Sequence, residues 1–339
     1  MSSRPPRAVL AAATLLLLPA AAEAQAPAPV PRDAVSNLTF TYENDQFGGA
    51  DKYYTTGWQL AWRSTAPDLP PAIASAVAWS RLLFPQDGTV RWGLALGQNI
   101  YTPDDTTLQI PDPKDRPYAG WLYGSLTVAS FTERSIGSVE LQLGVVGPAA
   151  LGEQVQNNVH WLLGIETSAG WDYQLDNEPG INLIFSRQWR YSWPLFGDPD
   201  GLAYGIVPSV AASLGNVQTY AAAGFMMKFG SNLTSDFGPQ RIRPAVGGSA
   251  FFRPNGRWGW YILAGVEGRA IARDIFLDGN TWADSRSVDK KPFVGDAIFG
   301  AVLIMPWARL TYTHTFRSEE FEGQGKKTQF GSVSLSMPF

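Results

Sequence analysis

The sequence predicts an all-β protein, a transmembrane antiparallel β-barrel of twelve strands with a short helix in an extracellular loop. Apolar residues recur at every second position in many short segments, and Trp and Tyr fall near the ends of those segments. The chain also closes on Phe339 at the end of an alternating run, the usual ending of bacterial outer-membrane barrels.

Residues 1–24 read as a secretory signal peptide. Arg4 and Arg7 precede the apolar stretches Ala8-Val9-Leu10 and Leu15-Leu16-Leu17-Leu18, and Ala22-Glu23-Ala24 offers a small-x-small cleavage site. A membrane anchor would need about 20 apolar residues, and Pro19 interrupts a run already too short. Residues 25–36 form a flexible leader and 37–339 the barrel. After the signal no segment reaches the ~18 consecutive apolar residues of a spanning helix. The mature chain is soluble, or it crosses a membrane as strands.

Alternation is clear in Leu38-Thr39-Phe40-Thr41-Tyr42-Glu43, in Gly57-Trp58-Gln59-Leu60-Ala61-Trp62-Arg63 and in Val139-Glu140-Leu141-Gln142-Leu143. It returns in Leu310-Thr311-Tyr312-Thr313-His314 and in Val333-Ser334-Leu335-Ser336-Met337. A soluble sandwich alternates too. The export signal, Phe339 and the positions of Trp58, Trp62, Trp92, Trp121, Trp189, Trp193, Trp258, Trp260 and Trp307 favour a membrane barrel with aromatic girdles.

Strand candidates fall near 37–45, 56–64, 92–101, 118–131, 137–147, 181–191, 202–214, 217–229, 244–253, 258–273, 295–305, 307–316 and 328–339. Bacterial single-chain barrels take an even number, so 244–253, interrupted by Gly247-Gly248 and Pro254, is set aside and twelve remain. With both ends in the periplasm, the long polar connections 102–117, 148–180, 274–294 and 317–327 face outward, and Pro306 marks a tight inner turn. The inner connections 65–91 and 230–257 are unusually long; the first holds Ala72 to Phe84, suited to a short helix on the membrane surface or plugging the inner end. Neither an internal repeat nor a second domain is visible.

Composition narrows the chemistry. The absence of Cys removes disulfides, thiolate metal sites and cysteine nucleophiles. A net charge of −4 and a pI near 5.3 supply no basic field, so nucleic acid is not an expected partner. With 17% charged residues and 13 Trp, 12 Tyr and 18 Phe, the chain is not disordered.

Two outer connections carry candidate chemistry. The first holds Tyr42-Glu43-Asn44-Asp45-Gln46-Phe47 and then Asp51-Lys52-Tyr53-Tyr54-Thr55-Thr56-Gly57. In the second, 152–166, Val155, Val159, Leu162 and Leu163 lie at helical spacing and Gly164 is a stop signal, which puts His160 on a short helix. A lone His is more often a packing residue, but its companions here suit catalysis. Imidazole exchanges protons near neutral pH. Asp45 and Glu166 are hard oxygen ligands suited to Ca²⁺, and Thr55 adds a hydroxyl. A cation beside an ester stabilises the oxyanion, to which Asn44 could donate a hydrogen bond.

The combination of Glu43-Asn44-Asp45, Tyr54-Thr55-Thr56-Gly57, Asp115-Arg116-Pro117-Tyr118-Ala119-Gly120 and Gly147-Pro148 followed by Gln154-Val155-Gln156-Asn157, His160, Gly164 and Glu166 resembles the LpxR-type lipid A 3′-O-deacylases. The resemblance spans 37–339 and is densest up to Glu166. It implies a twelve-stranded outer-membrane barrel and a hydrolase that removes the 3′ acyloxyacyl group of lipid A with Ca²⁺. The family's active-site residues fall on Asn44, Asp45, Thr55, His160 and Glu166.

On this reading His160 takes a proton from water that attacks the ester. Ca²⁺ on Asp45, with Glu166 or Thr55, and the Asn44 amide stabilise the oxyanion, and His160 then protonates the leaving alkoxide. The alternative makes Thr55 the nucleophile. A monomer is expected, acting on lipopolysaccharide in the outer membrane with its site facing the extracellular leaflet. Two other classes stay open: a passive outer-membrane channel and an outer-membrane phospholipase. Lys114 and Arg116 are candidate phosphate contacts or local ion-pair partners of Asp112 and Asp115, Lys290 and Lys291 are candidate phosphate contacts or solvated charges, and His314 reads as structural.

Overall fold

The alternating segments become the walls of a closed barrel. The computed structural model describes residues 35–48, 53–65, 70–79, 84–85, 88–164, 166–242, 252, 255–325 and 327–338. The signal peptide, most of the leader, Phe339 and the segment 244–253 apart from Phe252 lie outside the described residues. The strand segments are β1 (Asn37–Asn44), β2 (Tyr53–Arg63), β3 (Thr89–Thr102), β4 (Ala119–Phe131), β5 (Ser135–Val146), β6 (Glu178–Trp189) and β7 (Tyr191–Pro194). They continue with β8 (Ala203–Gly215), β9 (Gln218–Gly230), β10 (Gly259–Asp274), β11 (Phe293–Met305), β12 (Ala308–Arg317) and β13 (Thr328–Pro338).

Each segment pairs antiparallel with its neighbours, and β1 closes the ring by pairing with both β2 and β13. The segments β6 and β7 both lie against β8 in one unbroken register, Gln188 opposite Ser209 and Tyr191 opposite Ile206. They are two parts of one wall strand, interrupted at Arg190, so the barrel has twelve walls. None of the described helices is long and apolar enough to cross a membrane.

The barrel is inside-out relative to a soluble protein, as a lipid solvent requires. Along β1, Thr39, Thr41 and Glu43 point into the buried lumen while Phe40 is exposed. The same holds for Thr311, Thr313 and Thr315 against Leu310, Tyr312 and Phe316 on β12. His314 lies among the outward residues beside Phe316, its Nδ1 3.3 Å from the Tyr312 hydroxyl. Of the Trp residues assigned to girdles, Trp193, Trp258, Trp260 and Trp307 are exposed, but Trp121 is not. Trp121 shares the inward face of β4 with Tyr123, on which it stacks at 5.5 Å, as part of a buried cluster of rings inside the barrel.

Neither end of the lumen is open among the described residues. At the end where the chain termini meet, the connection from β9 to β10 folds inward as a plug. Its Asp236 accepts from Lys228 Nζ (2.8 Å), Arg309 Nη1 (2.9 Å) and the Tyr261 hydroxyl (2.8 Å). Higher up, the Ile242 amide donates to Glu43 (3.2 Å), and Gln240 hydrogen-bonds Gln59. The other long connection at this end carries α1 (Pro71–Trp79), whose Pro71, Ala72, Ala74 and Ser75 are exposed, so α1 lies on the surface and does not plug the lumen. At the opposite end, called here the loop end, Tyr53, Leu277 and Phe321 close over the mouth. A helical turn, α3 (Ile275–Asp278), sends Phe276 down onto Tyr101 at 4.0 Å.

Inward and outward positions should therefore respond oppositely to substitution. Leu96→Arg, mid-wall and lipid-facing, is expected to cost about 2–4 kcal/mol. Thr313→Val, which removes a buried hydroxyl that makes no hydrogen bond among the described residues, should be near neutral. Urea unfolding in lipid vesicles measures both, and the reverse ranking would contradict the assignment of faces.

Plug docking should also be insensitive to mild acid. Burial pushes the Asp236 carboxyl up, but the charges of Lys228 and Arg309 hold it well below the usual carboxylate range. A depressed carboxyl contributes its stabilisation fully above its unfolded pKa of about 3.9 and loses it as pH falls through the folded value. Protease protection of the plug is expected to stay flat from about pH 8 to about pH 5. Asp236→Asn, which leaves two buried cations without a counter-charge, should lose about 3–5 kcal/mol at neutral pH.

Candidate active site

Two pieces of the loop end carry the candidate residues, and both rest on outward-facing positions of neighbouring strands. At the top of β1 and β2, Asn44 is opposite Thr56. The Asn44 amide donates to Thr56 Oγ1 (2.9 Å) and to the Tyr42 hydroxyl (3.2 Å), and its Oδ1 accepts from the Gln46 amide (2.7 Å). That last bond starts the tight turn Asp45–Gly48, in which Asp45 is fully buried. Glu43, one position earlier, points the other way, into the lumen, where it accepts from the Tyr54 hydroxyl (3.0 Å) and the plug. Part of the Glu43-Asn44-Asp45 motif is thus a plug anchor.

Thr55 is the extra residue of a β-bulge, since Tyr54 faces Tyr101 and Thr56 faces Ile100. The bulge lets Tyr54 stay inward and Thr56 outward while Thr55 reaches across to β3, its Oγ1 2.6 Å from Thr102 Oγ1. Thr102 belongs with Ile100 and Gln98 to the alternate positions of β3 that face away from the lumen.

Those same positions carry the second piece. The chain leaving β5 turns at Gly147 and forms α2 (Gly152–Leu163). Gln98 Nε2 donates to the Ala150 carbonyl (2.6 Å), while Ile100, Tyr118 and Trp171 cluster with Val155 of α2. The helix can lie against the wall because two glycines meet there. A Cβ on Gly120 of β4 would fall 3.1 Å from Ala150 Cβ and 3.2 Å from the Gly152 nitrogen. Tyr118 and Gly120 of the Asp115–Gly120 motif thus seat the helix. Arg116 turns inward, 3.5 Å from Glu320 and stacked over Tyr101, and does not reach lipid phosphate. Lys290 and Lys291 pair with Asp278 and Glu319.

Gly152, Gln156 and His160 form the buried stripe of α2, one residue per turn. Gly164, in the left-handed conformation with φ 69°, ends the helix and turns the chain back beside it. Asn157 holds the returning strand by accepting from the Ser168 amide (2.9 Å) and donating to its carbonyl (3.3 Å), and Gln156 accepts from Trp171 Nε1 (3.0 Å). The return brings the Glu166 carbonyl oxygen to 2.8 Å from His160 Nδ1. His160 is 2% exposed, whereas the side chain of Glu166 is exposed. Glu166 therefore reaches the imidazole through its backbone.

That contact settles the proton on the imidazole. A carbonyl oxygen only accepts, so Nδ1 must carry the hydrogen, and in the neutral ring Nε2 is left as a lone-pair base. As to a cation, no group of three or more His, Cys, Asp or Glu gathers among the described residues. The donors near the bulge are all oxygen, with one buried carboxylate on Asp45 and the hydroxyls of Thr55 and Thr102. This donor chemistry suits Ca²⁺ rather than a softer metal. Gln98, Thr102, Gln156, Asn157 and Trp171 were not among the sequence candidates; Gln156, one helical turn before His160, was the most accessible to spacing.

The profile of the family described as outer membrane protein LpxR matches residues 9–339. The chain belongs to the LpxR family. Among solved structures, LpxR from Salmonella typhimurium superposes with a TM-score of 0.70, covering 89% of this chain and 100% of that one at 21% identity. The β domain of the Bordetella autotransporter BrkA gives 0.44 at 11% identity over 90% of this chain and 99% of that one. No curated protein matches the chain in sequence. Family membership and fold together make this an outer-membrane β-barrel.

Seating of α2 can be tested separately from folding. Gly120→Val is expected to leave the barrel intact by heat-modifiable migration yet to open the 147–177 connection to protease about tenfold faster, a cost of about 1–3 kcal/mol for overpacking. Unchanged protection would mean the two-glycine contact does not hold the helix.

Proposed function

We propose that the protein is a lipid A 3′-O-deacylase in which His160 activates water. The observation that supports this is the hydrogen bond from His160 Nδ1 to the Glu166 carbonyl, which makes Nε2 the proton-accepting nitrogen of the neutral ring. The residues beside it support a lipid substrate. Trp161 and Leu162 follow the buried imidazole and are 77% and 76% exposed. The helix that carries them lies above Leu94 and Leu96, exposed on the lipid-facing side of β3. The base and the acyl chains of a lipid would thus meet at one level of the membrane, the loop end facing the exterior.

Nε2 of His160 takes a proton from water as the oxygen attacks the ester carbonyl, and returns it to the sugar alkoxide as that group leaves. Water is the better nucleophile than Thr55, whose hydroxyl bonds another hydroxyl, Thr102, and among the described residues has no hydrogen bond to a base. Both amide hydrogens of Asn44 are engaged by Thr56 and Tyr42, so Asn44 holds the turn and donates to an oxyanion only by exchanging the longer bond to Tyr42. Asp45 and Thr55 would hold Ca²⁺, with the exposed carboxylate of Glu166 able to join from the rim. When bound, the ion supplies positive charge for the oxyanion. A lumen occupied by the plug and the aromatic cluster argues against a passive channel.

Mass spectrometry of lipid A from a Gram-negative host expressing the protein should show loss of the 3′ acyloxyacyl group. His160→Ala should lower the conversion about 10²–10⁴-fold with heat-modifiable migration retained, and EGTA should suppress it until Ca²⁺ is restored. Unchanged lipid A would overturn the assignment of substrate; full activity in His160→Ala would overturn the role of the imidazole.

A further inference from the structure

At the opposite end of the barrel lies a second site, independent of the catalytic reading. The strand β5 stops at Ser135, opposite Trp189, so among the described residues β7 continues past the rim paired only with β8. Between the free edge of β7, the β4–β5 turn and the plug is a cavity of about 660 Å³ lined by Glu133, Arg134, Ser192, Trp193, Asp200 and Ser235 among others. Its walls are tied together by Arg190, which donates to the carbonyls of Thr234 (2.8 Å), Asp236 (3.0 Å) and Glu133.

The chemistry of the lining is specific. Ser235, 3% exposed, lines the cavity, and among the described residues its buried Oγ makes no hydrogen bond. Glu133 and Arg134 are exposed at the mouth, and among the described residues neither side chain makes an ion pair. They present a carboxylate and a guanidinium side by side. On the outer side Trp193 stacks on Tyr204 at 5.1 Å, and Tyr191 lies 6.5 Å from Trp193, so the mouth opens in an aromatic girdle at the boundary between headgroups and acyl chains.

We propose that this cavity binds the headgroup of a zwitterionic phospholipid. Its phosphate meets Arg134 at the mouth, its ammonium meets Glu133 and the ring of Trp193, and its acyl chains follow the girdle up the wall. A zwitterion is favoured over a simple anion because the cavity offers both signs of charge. Strand addition by an extended peptide fits less well, since the free edge of β7 is four residues long and ends in Pro194, which has no N–H.

Native mass spectrometry of the delipidated full chain, given phosphatidylethanolamine or phosphatidylglycerol in equal amounts, tests this. One phosphatidylethanolamine should be retained in preference, and Arg134→Glu should weaken retention about tenfold, with Glu133→Lys reversing the preference toward phosphatidylglycerol. Soluble glycerophosphoethanolamine should compete, showing that the headgroup and not the chains is read. Heat-modifiable migration of both variants checks that the barrel is intact. Equal retention of the two lipids, retention unchanged in both variants, or a co-purifying peptide in place of lipid would overturn the proposal.

Discussion

The hydrogen bond between the His160 imidazole and the Glu166 carbonyl is the contact on which the proposed chemistry at the loop end depends, and a helix held flat against a barrel wall makes it possible. Its geometry is set by residues that have no chemistry of their own. Gly120 and Gly152 let the backbones approach, Gly164 reverses the chain, and Asn157 fixes the return. An imidazole bonded to water in place of this carbonyl would interconvert between tautomers. Bonded to a carbonyl it has one, with the lone pair on Nε2.

The barrel beneath supplies both the platform and the solvent. Because lipid surrounds the wall, the outward positions of β3 are apolar where they meet the bilayer and change character under α2, where Gln98, Ile100 and Thr102 are buried by protein. The lumen has the opposite composition, and its charges are matched in pairs, Asp236 with Lys228 and Arg309, Asp296 with Arg269 and Arg317. Such pairs satisfy charges that the plug and loops remove from water. Their net worth against an apolar filling is small, but removing one partner strands the other. The filled lumen thus acts as a rigid core, and the site is built on its outside.

Much of this was legible in the sequence because the period-two alternation is imposed by the bilayer residue by residue. The wall strands, the last strand that closes the barrel and the helix around His160 ended by Gly164 could all be read from local pattern. What could not be read required knowing which face a residue joins. Trp121 has the spacing of a girdle residue and turned out to be lumenal. Glu166 suggested a carboxylate ligand, yet its backbone makes the contact with the imidazole. Arg116 was open between a phosphate contact and a local ion pair with Asp112 or Asp115, and it pairs instead with Glu320, 204 positions away in the chain. Long-range partners of this kind leave no local trace, and neither does the interruption of a wall strand at Arg190.

The most direct test of the account is the tautomer of His160. The chain has only two His, so ¹⁵N-histidine labelling with a His314→Asn background leaves a single imidazole to observe. The account predicts a proton on Nδ1 and a lone-pair resonance for Nε2 at pH values where the ring is neutral. A ring protonated on Nε2 instead would contradict it, because the nitrogen required to act as base would then already hold its proton.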